Sequence, residues 1–308
     1  MTKLKLCFTA MLIGLGSPSA YALNFNIDYS YDTNNFFSTQ TRKDAFEAAA
    51  NYYGSRISDN LLAIDSSGFN HFNAKFFNPA NDALTTLNDF DVAANTLTIF
   101  VGGRDLGTST LGMGGPGGYS MSGTQSFFDA ALSRGQGHGT QSAVTGTTAH
   151  DFAPWGGSIS FDSNSNWYFD SDTSTDETFS GFDFFSVALH EIGHLLGFGI
   201  ADSWNNYVVG TAFTGPESAT VYGNSVPVTS DSAHWANGTM SDGRETAFDP
   251  TIAGGVRKIP TSLDLAALKD IGWQVNITAV PVPGAVWLFG SALLGLGGLS
   301  RRRGTSLN

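Results

Sequence analysis

Apolar and polar residues alternate along residues 23–31 (LNFNIDYSY), the two-residue period of a half-buried strand, so this segment predicts the first strand. From Thr41 to Ser58 the spacing lengthens. Ala45, Phe46, Ala49, Ala50, Tyr53 and Ile57 recur at helical intervals and predict an amphipathic helix. Residues 97–101 (LTIFV) and 156–161 (GGSISF) read as strands, and residues 183–199 (DFFSVALHEIGHLLGFG) as a helix packed on the core. Thr261 with Asp264 signals a capped helix that Gly272 ends, Leu265 and Leu268 facing inward. The run 102–118 (GGRDLGTSTLGMGGPGG) predicts a mobile surface loop. It is no phosphate loop, because no Gly-Lys-Ser/Thr follows. No internal repeat interrupts the pattern.

Composition narrows the class. The 308 residues are 41% hydrophobic and 14% charged, which suits one large domain or two small ones and excludes a wholly disordered chain. A formal charge of −12 argues against nucleic acid as a partner, since phosphate binding needs a basic face. Of the 27 acidic residues 22 are Asp, a bias toward turns and oxygen-rich cation sites rather than long charged helices.

The two ends read differently from the body. Residues 1–22 carry Lys3 and Lys5, an apolar run from Cys7 to Leu15, and Ala20-Tyr21-Ala22, the pattern of a signal peptide. Cleavage after Ala22 would remove the single cysteine, leaving an exported form without disulfides or Cys-ligated metal. At the other end, Pro281 and Pro283 precede an apolar stretch closed by Arg301, Arg302 and Arg303. That order resembles the PEP-CTERM sorting tails of Gram-negative bacteria. The resemblance implies a membrane segment at 280–303, an exosortase-type processing enzyme as partner, and a location in the cell envelope or outside the cell. A plain C-terminal anchor is the alternative. The expected organisation is a signal peptide at 1–22, a folded domain at 23–279, the sorting segment at 280–303, and a short tail at 304–308.

The chemistry concentrates in residues 183–199. His190 and His194 lie one helical turn apart on one face, with Glu191 beside the first. In the His-Glu-x-x-His arrangement two imidazoles bind zinc and the glutamate serves as general base on a metal-bound water. Gly193 would leave room beside the metal, and Gly197 marks where the helix should stop. Two histidines and a glutamate on an otherwise apolar helix are costly to bury without a metal. Three protein ligands plus a water is the usual catalytic zinc site, so a third ligand is needed.

These residues resemble the metzincin metalloproteases, whose extended motif is His-Glu-x-x-His-x-x-Gly-x-x-His. The chain matches at His190, Glu191, His194 and Gly197 and departs at the last place, Ile200. Asp202, Glu217 and His234 are the candidates for the missing ligand. The distant His234-Trp235 pair resembles the leishmanolysin-like metzincins and is the preferred choice, with Asp202 as alternative. Residues 149–167 resemble the matrixin run of Ala-His, Pro, Gly-Gly, strand, Phe-Asp and Trp at Ala149, His150, Pro154, Gly156, Gly157, Phe161, Asp162 and Trp167. That likeness implies that Gly157, Ser158, Ile159 and Ser160 form an edge strand binding the substrate backbone. Ser158 and Ser160 stand where matrixins place ligands of a second, structural zinc, leaving His150 and His138 and arguing against it. Asp162 and Asn164, with Asp170 and Asp172 nearby, suggest calcium or a solvated turn instead. Phe248 aligns with the methionine-turn position beneath the zinc.

The resemblance therefore implies an α+β, zincin-like domain: a twisted mixed sheet with an active-site helix and a C-terminal helix. It implies an exported zinc endopeptidase acting on peptide or protein, with Glu191 as general base and one zinc held by His190, His194 and His234. Tyr207 and Tyr222 are weaker candidates for an added hydrogen-bond donor. A catalytically inactive zincin scaffold in the envelope, and a zinc hydrolase of non-peptide substrates, are the competing readings.

Overall fold

A computed structural model describes residues 23–134, 155–172 and 177–277. The predicted signal and sorting segments, His138, His150 and Pro154 lie outside the described residues. In chain order the main elements are β1 (Asn24–Asp28), α1 (Gln40–Gly54), β2 (His71–Phe77), β3 (Leu84–Leu87), β4 (Thr96–Arg104), β5 (Gly112–Pro116), β6 (Gly118–Ser122) and α2 (Gln125–Leu132). There follow β7 (Gly156–Asp162), α3 (Phe184–Leu195), α4 (Asp202–Asn205), α5 (Pro216–Tyr222) and α6 (Ser262–Asp270). The architecture is α+β, as the sequence predicts, and the expected strands at 23–31, 97–101 and 156–161 and helices near 41–58, 183–199 and 261–272 all form.

The main sheet runs β1-β4-β7-β5. Strands β1, β4 and β7 are parallel and β5 is antiparallel to β7. Strand β4 shows why it takes the centre. Leu97, Ile99 and Val101 point to the side that packs on α1, α3 and α6, while Phe100 joins a second cluster with Phe72, Phe76 and Trp155. Both faces are thus covered, which its continuous apolar run requires. The second cluster joins a small antiparallel sheet, β3-β2-β6, and Phe127 and Ala131 of α2 on the face opposite α1, α3 and α6.

Two sequence expectations are corrected here. The glycine-rich run 102–118 is not a loop throughout: it finishes β4, forms β5 and ends where β6 begins. Glycine has little intrinsic tendency to form strand, but β5 borrows its order from β7, with Gly112 opposite Phe161 and Pro116 opposite Gly157. Consequently β7 is not an edge. Gly157, Ser158, Ile159 and Ser160 sit between β4 and β5, with their backbone pairing used on both sides. The Ser160 hydroxyl donates to the Pro79 carbonyl at 3.0 Å. Among the described residues the edge strand beside β7 is β5, and β1 is the edge on the other side of the sheet. The segment around Glu217, read from sequence as a loop, opens α5, whose first amides Asp270 caps through Glu217 N at 2.8 Å and Ser218 N at 2.9 Å.

Helix α3 is locked at both ends and in the middle. Its N-cap Asp183 is fully buried and accepts from the Ser186 amide at 3.2 Å and hydroxyl at 2.5 Å, and from both Nε and Nη2 of Arg257 at 3.0 Å. Midway, the buried Tyr53 hydroxyl of α1 donates to the Leu189 carbonyl at 2.8 Å. At the far end Trp273 Nε1 donates to the Leu196 carbonyl at 2.7 Å. Replacing Tyr53 with Phe deletes the polar link between α1 and the middle of α3 at constant shape. Urea denaturation should show a loss of about 1 kcal/mol, the net worth of one such bond, and metal binding should be unchanged.

Candidate metal centre

The last turn of α3 explains how the second histidine is aimed. Gly197 takes φ 102°, the Phe198 amide donates back to Gly193 O at 3.1 Å and the Gly197 amide to His194 O at 2.9 Å. This is a Schellman ending, which needs a residue tolerant of positive φ. It turns the Phe198 carbonyl inward, where it accepts from His194 Nδ1 at 2.9 Å. The Ala247 carbonyl does the same for His190 Nδ1 at 2.8 Å. With Nδ1 donating, the proton of each neutral ring is fixed there and Nε2 presents its lone pair.

His234 arrives from a different part of the chain. A tight turn links Thr229 and His234, Thr229 N donating to His234 O at 3.0 Å and His234 N to Thr229 Oγ1 at 3.2 Å. Trp204 Nε1 anchors the turn at Ser232 O, 2.8 Å away. The result brings three Nε2 atoms together: His190 and His194 at 3.0 Å, His194 and His234 at 3.1 Å, His190 and His234 at 3.2 Å. Among the described residues these three form the only cluster of potential metal ligands. Asp202, the alternative ligand, is exposed at the start of α4 and outside the cluster. Glu217 instead pairs with Lys269 at 2.8 Å.

The donor set fits zinc. Two ring lone pairs facing one another at 3.0 Å repel unless a cation or proton lies between them. Protonation is disfavoured, because burial, and then the neighbouring rings, hold His194 down to about 4 and His190 well below the usual imidazole value. Burial lowers His234 as well, partly offset by Asp231 and Asp249. A tetrahedral site with zinc–nitrogen distances of about 2.1 Å wants ligand nitrogens about 3.4 Å apart, close to the spacing here.

Beneath the ligands lies a wall of aromatic rings. Phe248, fully buried, stacks on Phe198 at 3.9 Å and sits 5.6 Å from the His190 ring and 6.1 Å from His194. Gly193 serves this ring rather than the metal: a Cβ there would stand 2.0 Å from Phe248 Cζ. The same loop is tied down by Asp264, whose fully buried carboxylate accepts from Trp235 Nε1 and the Ala247 amide at 3.0 Å each, and from the Thr261 amide at 2.7 Å. One carboxylate thus caps α6, steadies the residue after His234 and holds the carbonyl that orients His190. Sequence reasoning found its capping role alone.

Glu191 is 6% exposed and lines a cleft of about 670 Å³ bounded by residues of β5, α3 and the segment 247–252. Its lining includes Leu111, Gly112, Gly114, Val187, Ile200 and Pro250, besides the three histidines. Burial pushes the Glu191 carboxyl up to about 8, opposed by the Gly114 amide hydrogen bond. Tyr207 and Tyr222 do not line this cleft. The proposed calcium ligands are otherwise engaged. Asp162 accepts from the Leu106 amide at 3.0 Å and the Ser165 hydroxyl at 2.6 Å, while Asp170 pairs with Arg257 at 3.1 Å. Asn164 is exposed, and no cation cluster forms around it among the described residues.

Comparison with known proteins agrees with this geometry. The matrixin family model matches residues 132–208. This stretch is matrixin-like. Over 54 residues the chain is also 46% identical to Metalloendoproteinase 1 of Glycine max, a match covering 18% of each protein. The chain thus spans about a fifth of the length of that curated relative. No solved structure matches. The matrixin-like stretch contains His190, Glu191 and His194 but stops short of His234, so the third imidazole belongs to a part of the chain the family model does not reach.

Two expectations follow. Gly193→Ala should destabilise by roughly 1–3 kcal/mol through overpacking against Phe248, and Phe248→Leu in the same chain should recover most of that loss in thermal melts. In chelator, the raised carboxyl of Glu191 favours folding below its unfolded value and ceases to do so as pH rises through about 8. Metal-free Glu191→Gln should therefore melt higher than the metal-free parent at pH 9, and this advantage should vanish at a pH of about 4.

Proposed function

We propose that this chain is a zinc-dependent endopeptidase. The observation that carries the reading is the convergence of three Nε2 atoms within 3.2 Å beside a buried glutamate, under an open strand edge. His190, His194 and His234 would hold the zinc. When bound, zinc supplies Lewis-acid activation of water and of the scissile carbonyl, and its charge offsets the burial that raises Glu191.

The protein's own residues account for the rest. Glu191 accepts a proton from the attacking water and returns it to the leaving amine, a transfer that its enclosed position keeps from bulk solvent. Strand β5 has β7 on one side and no partner strand on the other among the described residues, so an extended peptide can add to it by main-chain hydrogen bonds. Such binding reads backbone rather than side chains and favours peptide over other hydrolysable substrates. The inactive-scaffold alternative drew its support from Ile200 in the third motif place and Phe248 on the floor. His234 supplies a third imidazole, and Phe248 packs as a floor without being a ligand, so that support falls away. Export, with processing of residues 280–303 by an exosortase-type enzyme and membrane attachment through that segment, belongs to the same proposal and rests on the sequence pattern of the two ends. Among the described residues no helix is long and apolar enough to cross a membrane.

With zinc content and casein cleavage measured side by side, Glu191→Gln should keep about one metal per chain and lose at least roughly a hundredfold in rate, the scale of a lost general base. His234→Ala should lose both metal and activity. A Glu191→Gln protein that cleaves casein at the parent rate would overturn the mechanism, and a His234→Ala protein with full zinc would overturn the ligand assignment.

A further inference from the structure

The general base and the strand edge are not independent parts. Helix α3 packs against β5, and two glycines of the strand face Glu191. A Cβ built on Gly112 would stand 2.6 Å from Glu191 Oε1, 2.7 Å from its Cγ and 2.9 Å from its Cδ. At Gly114 the obstacle differs. A Cβ would meet the Glu191 main-chain oxygen at 2.7 Å and Cβ at 3.0 Å, with Oε2 at 3.1 Å. The alternation of the strand turns both glycines toward the helix, while Met113 between them is half exposed. All of these distances fall on one residue of the helix, and that residue carries the carboxylate of the cleft.

We infer that Gly112 and Gly114 are positioning residues for the general base: the missing side chain at 112 is the seat of the Glu191 carboxylate, and the missing side chain at 114 sets how closely β5 lies on α3. The inference rests on the endopeptidase reading for its kinetic consequences, though not for the seat itself. The two glycines should differ in what they control. At 112 the obstacle is the far end of a flexible side chain, so an added methyl swings the carboxylate away and leaves strand and helix where they are. At 114 the obstacle is backbone, which cannot swing, so an added methyl lifts the strand. Lifting the strand displaces the edge on which substrate pairs and withdraws the Gly114 amide from Glu191. The seat also accounts for glycine at 112, since any larger residue there would compete with the Glu191 side chain for the same volume.

The test uses the zinc-loaded full-length chain with fluorescent casein and a thermal melt. Gly112→Ala should lower kcat about thirtyfold or more, with KM within about twofold and zinc content unchanged. Gly114→Ala should raise KM about fivefold or more. Melting separates a seat from general damage. Gly112→Ala should lower the midpoint by roughly 3–6 °C, the shift expected for about 1–2 kcal/mol in a domain of this size. In a Glu191→Ala background the same substitution should lower it by under about 1 °C, because nothing then occupies the seat. Equal melting losses in the parent and in the Glu191→Ala background would overturn the seat, and parental kcat in Gly112→Ala would overturn the positioning role. If the parent cleaves no casein, the peptidase reading fails by itself, and the melting cycle still decides whether the carboxylate sits on Gly112.

Discussion

Three imidazole lone pairs are pointed at one another within 3.2 Å in a place where none can easily be protonated, and that arrangement sets the terms for everything around it. Left without a cation it is repulsive, so the fold must hold the rings in place by other means. It does so by binding their back edges. The carbonyls of Ala247 and Phe198 take the Nδ1 protons of His190 and His194, which fixes tautomer and ring orientation together. Each carbonyl is in turn placed by a feature with its own physical cause: the Schellman turn at Gly197 for Phe198, and the buried carboxylate of Asp264 for Ala247.

This explains why so much of the buried polar chemistry lies away from the ligands. Asp183 and Arg257 fix where α3 starts, Tyr53 and Trp273 hold its carbonyls, and Asp264 ties the loops carrying Trp235 and Ala247 to the last helix. Buried carboxylates are costly unless their oxygens are filled by donors. Both Asp183 and Asp264 meet that condition with several donors each: Asp183 holds the start of the helix bearing His190, Glu191 and His194, and Asp264 holds the loops carrying Trp235 and Ala247 against α6. The aromatic wall of Phe198, Trp204, Phe213, Trp235 and Phe248 fills the remaining volume and fixes the depth at which the histidines lie.

The strand edge is the other half of the site. Strand β5 contributes almost no side chains, and its order comes from the ladder with β7 and from its seat on α3. A peptide pairing with this edge, as proposed, would enter the cleft that Glu191 and the three histidines line, and one short strand would then set the register of substrate against both.

What the sequence determined by itself is local. Alternation placed β1, short apolar runs placed β4 and β7, helical spacing placed α1 and α3, and a capping signal placed α6, because each of these marks lies within a few neighbouring residues. His190, Glu191, His194 and the stop at Gly197 were legible because a helix puts residues one turn apart on one face whatever surrounds it. His234 was legible only through its likeness to a family with a distant third histidine, since nothing in its own neighbourhood marks it as a ligand. The tertiary structure decided the rest. Whether 102–118 is loop or strand depends on β7 offering a partner, and glycine carries no period to announce that. Which strand forms the edge depends on β5 adding outside β7, a pairing between segments far apart in the chain. The work of Gly193 and Asp264 depends on Phe248, Trp235 and Ala247, which meet them only on folding, because close approach and hydrogen bonding across the chain leave no trace in local spacing.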